Sequence, residues 1–166
     1  MPRKKITRKE EAEHLFRKAE LREEEGDFRG AFRFLLRAAK LGHRGAQLNL
    51  GNFYTDGKGV QRNLKKGMYW YLLCYRGNDP SAANNIACTW RNEGQLQRAL
   101  RWFKRAVEMG DDEANIAIGK YYLSNENNPR KAIPYFRRAV KGKWVSEAGV
   151  EEAAELLKQA QAQLAR

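Results

Sequence analysis

Small and large apolar residues return along this chain at helical spacing, in blocks separated by turns bearing glycine or asparagine, and one pattern recurs four times. A small residue stands in the first half of each block, at Ala19, Gly51, Ala87 and Gly119. Another opens the second half, at Ala31, Gly67, Ala99 and Ala132. One helical turn later comes a large apolar residue, at Leu35, Tyr71, Phe103 and Phe136, and after it a small one, at Ala38, Cys74, Ala106 and Ala139. Glycine closes each block, at Gly42, Gly77, Gly110 and Gly142, where it is expected to supply a left-handed helix cap. Small residues let two helices approach, and large ones fill the space left between them. The period is about 34 residues, the length of a helix-turn-helix unit that buries its faces only by stacking on neighbours. The pattern predicts an all-α fold of four hairpins over residues 8–42, 45–77, 81–110 and 112–142, forming a single domain.

The turns sharpen the outline. In the first unit Gly26-Asp27 makes the bend, with Asp27 placed to cap the next helix. The second unit has extra turn residues around Gly57 and Gly59, and Val60 is placed to close the bend by an apolar contact. The third opens after Asp79-Pro80-Ser81 and turns at Asn92-Glu93-Gly94; the fourth turns through residues 125–129, where Pro129 suits the first turn of a helix. Pro134 is expected to bend that helix slightly. From Ser146 onward Val150, Ala153, Leu157, Ala160 and Leu164 recur at helical spacing over a polar outer face. With no second helix to follow, residues 146–166 read as the capping helix such an array needs.

Composition agrees with a folded protein, at 42% hydrophobic and 11% aromatic residues in 166. The longest apolar run, residues 68–75, is too short to span a membrane, which takes about 20 residues. The basic N-terminal segment lacks the apolar stretch of a signal peptide, so a cytoplasmic protein is expected. The formal net charge is +12, distributed as +5, +4, +1 and +3 over residues 1–45, 46–78, 79–111 and 112–142, and −1 over the tail. Charge spread in this way is not a single nucleic-acid-binding arm.

In the second unit the residues Leu50-Gly51, Tyr54, Gly57, Gly59-Val60, Lys66, Trp70 and Tyr71 resemble the Sel1-like repeat, a relative of the tetratricopeptide repeat with a longer glycine-bearing turn. Asn63 stands where that family usually has aspartate, and Gly67 where it usually has alanine. The third and fourth units lack the longer turn and look more like plain tetratricopeptide repeats, and the first is the most degenerate. The resemblance implies a right-handed superhelix (solenoid) of paired helices that serves as a scaffold or adaptor for other proteins, with no catalytic residues.

The titratable and nucleophilic residues do not assemble a reaction centre in the sequence. His14 and His43 lie far from each other and from any metal-ligand spacing, so both read as solvated surface histidines. Cys74 takes a small-residue packing slot, and Cys88 has no base at a predictable distance. Glu23, Glu24 and Glu25 read as a solvated charge run. Neither metal, cofactor nor enzymatic activity is indicated.

Two surfaces remain as candidates for binding. In stacked hairpins the first helices line the concave side, and there the residues beside the packing positions are Asn52, Thr55, Asp56, Asn84, Cys88, Arg91, Asn92, Asn115, Lys120 and Ser124. Asparagine both donates and accepts hydrogen bonds, which suits an extended peptide backbone, and it is a poor helix former that needs a reason to recur. The second helices carry Arg33, Arg37, Lys40, Arg101, Arg105, Arg138 and Lys141, a basic ladder along the convex side. A protein or peptide held in the concave groove is the first expectation, with the chain acting as an adaptor, a bacterial regulator or an immunity-type inhibitor beside one cognate protein. Nucleic acid or an acidic partner on the basic face is the alternative.

Overall fold

The computed structural model describes residues 6–165. They form nine α-helices and one π-helical turn, and no strand occurs among the described residues. The helices are α1 (Arg8–Glu24), α2 (Phe28–Lys40), α3 (Arg44–Asp56), α4 (Leu64–Arg76), α5 (Pro80–Asn92), α6 (Leu96–Glu108), α7 (Ala114–Lys120), α8 (Pro129–Lys141) and α9 (Glu147–Leu164), with the π-helical turn at Tyr121–Asn125. They fall into two compact units, Met1–Gly77 and Asn78–Arg166, each holding two of the predicted hairpins.

Local sequence explains where most helices begin. Thr7 caps α1 in a reciprocal capping box with Glu10, and Asp27, Asn63, Asn128 and Ser146 each accept a backbone N–H at the start of α2, α4, α8 and α9. Asp79 caps α5, which has Pro80 in its first turn. Pro134 sits inside α8, which nevertheless runs unbroken, with the ring on the exposed side.

In the first unit the small residues of the repeat are at the helix contacts. Ala19, Ala31, Ala38 and Leu35 are buried, and so are Gly51, Gly67, Tyr71 and Cys74. A methyl group on Gly51 would stand 2.1 Å from Tyr71 Cε1, so close packing, and not the backbone, demands glycine there. The longer turn has its own task. Val60 packs against the cluster formed by Leu15, Leu35, Leu50 and Phe53, and Lys58 pairs with Glu23 while lying 4.6 Å above the Phe28 ring. Gly59 has φ +65°, and a side chain there would strike the Phe28 carbonyl at 2.3 Å. The extra residues therefore fasten the second hairpin to the first.

The second unit repeats the scheme. Ala87, Ala99, Phe103, Ala106, Gly119, Ala132, Phe136 and Ala139 are all buried, and a methyl on Gly119 would meet Phe136 Cε1 at 2.4 Å. Helix α9 lays Ala153 against Ile116 and Ala139 and keeps its Glu, Lys and Gln face outward, although Leu164 at its end is exposed. Only two of the four closing glycines are left-handed, Gly42 at φ +95° and Gly110 at φ +97°. After α4 the left-handed residue is Asn78, and Gly142 is extended, where a side chain would meet Asp112 and Val145 at 2.7 Å. Steric crowding thus replaces cap geometry as the reason for glycine at 142.

Candidate functional site

Each unit presents its own set of first-helix residues. In the first unit, α3 brings Asn52 and Thr55 to the hydroxyl of Tyr71, and Asp56 Oδ1 accepts from Thr55 Oγ1 at 3.2 Å. Tyr71 donates to Asn52 Oδ1 at 2.5 Å, and Thr55 Oγ1 lies 3.3 Å from the same hydroxyl and donates to the Asn52 carbonyl at 3.1 Å. Thr55 is buried by this network and does not line an open surface, which corrects its assignment to a groove. Asn52 is half-buried and orients the tyrosine; Asp56 is exposed.

In the second unit, Asn84, Cys88 and Arg91 follow one another along α5. The Cys88 thiol is 3.9 Å from Asn84 Oδ1, and Arg91 Nη2 is 3.7 Å from the sulfur. Burial pushes the thiol pKa up, against the lowering effect of Arg91, so Cys88 is held as a neutral thiol and not as a nucleophile. Asn92, next along, is exposed. Arg91, Lys120 and Ser124 come together at a pocket of about 140 Å³ whose floor is Leu96, Ala99, Leu100, Phe103 and Ala117. Lys120 is paired with Glu152 of α9 at 2.5 Å. The π-helical turn forms one wall, through Tyr121, Ser124 and Asn125, and the Tyr121 hydroxyl is hydrogen-bonded by Gln97. This apolar recess with a polar, cationic mouth is not visible in the sequence, because Leu96, Leu100 and Phe103 read as ordinary packing positions.

Asn115 does not belong to that surface. It is 1% exposed, donates from Nδ2 to the Asp112 carbonyl at 2.9 Å, and leaves Oδ1 buried without a partner. The recurrence of asparagine in first helices therefore has different causes: side-chain orientation at Asn52, a local helix-start bond at Asn115, and exposure at Asn92.

The seven ladder residues Arg33, Arg37, Lys40, Arg101, Arg105, Arg138 and Lys141 are all exposed. In the first unit Arg33 and Arg37 line an open cleft of about 470 Å³ with Arg22 and Phe34. Part of this charge is already answered: Arg22 pairs with Glu25 at 2.9 Å, and Arg37 lies 3.9 Å from Glu11. In the second unit Arg105 lies over the Trp102 ring at 4.6 Å and Arg138 over Tyr135 at 5.6 Å.

His43 is structural and not a bare surface histidine. Its Nδ1 accepts from the Ala46 N–H at the start of α3, its Nε2 meets Glu13 Oε2 at 3.1 Å, and its ring stacks on Phe16 with centroids 4.2 Å apart. Glu23, from the acidic run, is likewise engaged by Lys58. Among the described residues no group of His, Cys, Asp and Glu is arranged to hold a metal ion, and no helix is long and apolar enough to cross a membrane.

Comparison with known proteins accounts for this arrangement of hairpins. The chain is 40% identical over 62 residues to the chitin synthase regulator SKT5 of Saccharomyces cerevisiae, a match that takes in 37% of this chain and 9% of that protein. Its fold is similar to that of a Sel1 repeat protein from Oxalobacter formigenes, with a TM-score of 0.65 and 22% identity over 98% of this chain and 75% of the other. It is also similar to a protective antigen of uropathogenic Escherichia coli with an SLR fold, with a TM-score of 0.66 and 16% identity over 92% of this chain and 38% of that one. The Sel1 repeat model matches residues 24–43, 45–79, 80–111 and 113–143. The third and fourth hairpins are thus Sel1 repeats despite their short turns, and the first is matched only from residue 24, its better-patterned half. With four such matches over most of its length, the chain belongs to the Sel1 repeat family.

Proposed function

We propose that this chain is a protein–protein interaction module that holds a peptide or protein partner on the faces of its first helices. Sel1 repeats generally mediate contacts between proteins, and that general role is the starting point. The observation that carries the finer reading is the recess in the second unit, where Arg91, Lys120 and Ser124 stand around an apolar floor. A polar mouth over an apolar floor suits a side chain inserted from a partner, with main-chain hydrogen bonds made to polar groups two turns back along α5, such as Asn84. The chain would then work beside one cognate protein as an adaptor, regulator or inhibitor. Asn84, Arg91 and Asn92 on α5 are the residues assigned to that contact.

The test is affinity capture from host extract with the wild-type chain and with an Asn84→Ala, Arg91→Glu double variant, followed by mass spectrometry. The expected result is one protein retained in stoichiometric amount by the wild type and lost by the variant, with helical circular dichroism unchanged. Equal retention by both chains would remove the first-helix face as the binding surface.

A further inference from the structure

We infer that the recess between α6 and the π-helical turn is a socket for one ring- or leucine-sized side chain carried next to a carboxylate, so that the partner segment is an apolar residue flanked by Asp or Glu. The inference rests on the interaction-module reading and specifies the chemistry of the partner.

Size sets the first limit. The recess has a volume of about 140 Å³, close to that of an apolar cavity of about 150 Å³ that accommodates benzene. Its floor of Leu96, Ala99, Leu100, Phe103 and Ala117 offers no buried polar atom that a charged or hydroxylated side chain would need. Charge sets the second. Lys120 is already matched by Glu152, whereas the exposed guanidinium of Arg91 has the Cys88 sulfur and the face of Phe103, 5.8 Å away, as its neighbours and no carboxylate among the described residues. The mouth therefore carries one unmatched positive charge beside an apolar opening, which is complementary to a carboxylate adjoining an apolar group.

The backbone supplies a separate reason to look here. Residues 121–125 form the π-helical turn, wider than the α-helix it continues, and such turns are rare and concentrate at functional sites. The turn is held at its start, by Gln97 on the Tyr121 hydroxyl and by Tyr135 stacked on Tyr122 at 5.6 Å. It places Tyr121, Ser124 and Asn125 together on the wall of the recess.

A small probe isolates these two requirements. 3-Phenylpropanoate presents a phenyl ring and a carboxylate, and 3-phenylpropanamide has the same shape without the charge. Titrated into the ¹⁵N-labelled full chain, the carboxylate is expected to give saturating shifts centred on the amides of Ala117, Tyr121 and Ser124, with a Kd of about 1–10 mM for a ligand of this size. The amide should bind about threefold more weakly, as should the carboxylate to Arg91→Gln, since an exposed charge pair has that order of strength. Ala117→Leu, which fills the recess, should abolish the shifts; its folding is checked by thermal unfolding, and Arg91→Gln, altered only at an exposed side chain, carries the charge test by itself. Absence of saturating shifts, shifts centred elsewhere, or equal affinity for acid and amide would overturn the inference. Capture of a host protein that survives Ala117→Leu and Arg91→Gln but is lost with Asn84→Ala and Asn92→Ala would overturn the socket and leave the interaction-module reading standing.

Discussion

A single steric rule, small residue against large, is written into pairs of residues. In the second and fourth repeats the pair is glycine against an aromatic ring, Gly51 with Tyr71 and Gly119 with Phe136, and an added methyl group would overlap the ring at 2.1 and 2.4 Å. In the first repeat the same two places hold Ala19 and Leu35, both buried. In the third repeat they hold Ala87 and Phe103, also both buried, so alanine is used with a ring as well as with leucine. From the overlap with Phe136, Gly119→Ala should destabilise the protein by about 1–3 kcal/mol through overpacking, seen as a fall in thermal midpoint. Phe136→Leu alone should also destabilise, by leaving space unfilled. Combined, the two changes should cost less than their sum, because the alanine–leucine pair is the one the first repeat already uses. Strict additivity in the double-mutant cycle would show that Gly119 is constrained by something other than the Phe136 ring.

The same pairwise logic joins helices at His43, which gathers three contacts in one side chain: a cap on α3, a stack on Phe16 of α1, and a hydrogen bond to Glu13 of α1. His43→Ala should cost about 1–2 kcal/mol, in the range of lost N-caps, and His43→Asn should restore the cap while losing the two contacts to α1. The pH dependence has a definite sign. Hydrogen bonds from His43 first, and then Arg17, hold the Glu13 carboxyl below its ordinary value of 4.5. A lowered carboxyl contributes stability that is present above the unfolded value and lost as pH falls through the folded one. The thermal midpoint should therefore drop below about pH 4.5 more steeply in the wild type than in Glu13→Gln, and parallel acid limbs would exclude this contact as a contributor. At this scale the sequence was informative wherever packing repeats. The small and large positions fall at buried helix contacts in all four hairpins, and the turns at Gly26, Gly57 and Gly94 were read from their own chemistry. What could not be read came from contacts between distant segments. His43 looks like any loop histidine until α1 is placed beside it, and Asn115 looks like Asn84 until the depth of α7 is known. The π-helical turn over residues 121–125 has the same polar and apolar periodicity as a helix, so nothing local announces it, and the recess it borders is assembled from residues that packing alone explains.

For the whole molecule the question is what the excess positive charge does. Residues 1–77 carry 18 basic and 9 acidic side chains, a net of +9, while residues 78–166 carry 14 and 11, a net of +3. Any nucleic-acid affinity should therefore reside mainly in the first unit, around the cleft of Arg22, Arg33 and Arg37, and not where the proposed partner contact lies. Arg22 and Arg37 already have carboxylate neighbours, which lowers what a phosphate would gain by replacing them. Binding to a short DNA duplex should accordingly be weak and should fall log-linearly with salt, with a slope near the few phosphate contacts involved. Reversing Arg33 and Arg37 to Glu should reduce it more than reversing Arg101 and Arg105. Capture of the protein partner by the first-helix face should change by less than about threefold over the same salt range, since a single exposed charge pair is all that it screens. If partner capture instead collapses with salt, and collapses again in the Arg33→Glu, Arg37→Glu chain, the basic second-helix face is the binding surface and the recess beside Arg91 is not.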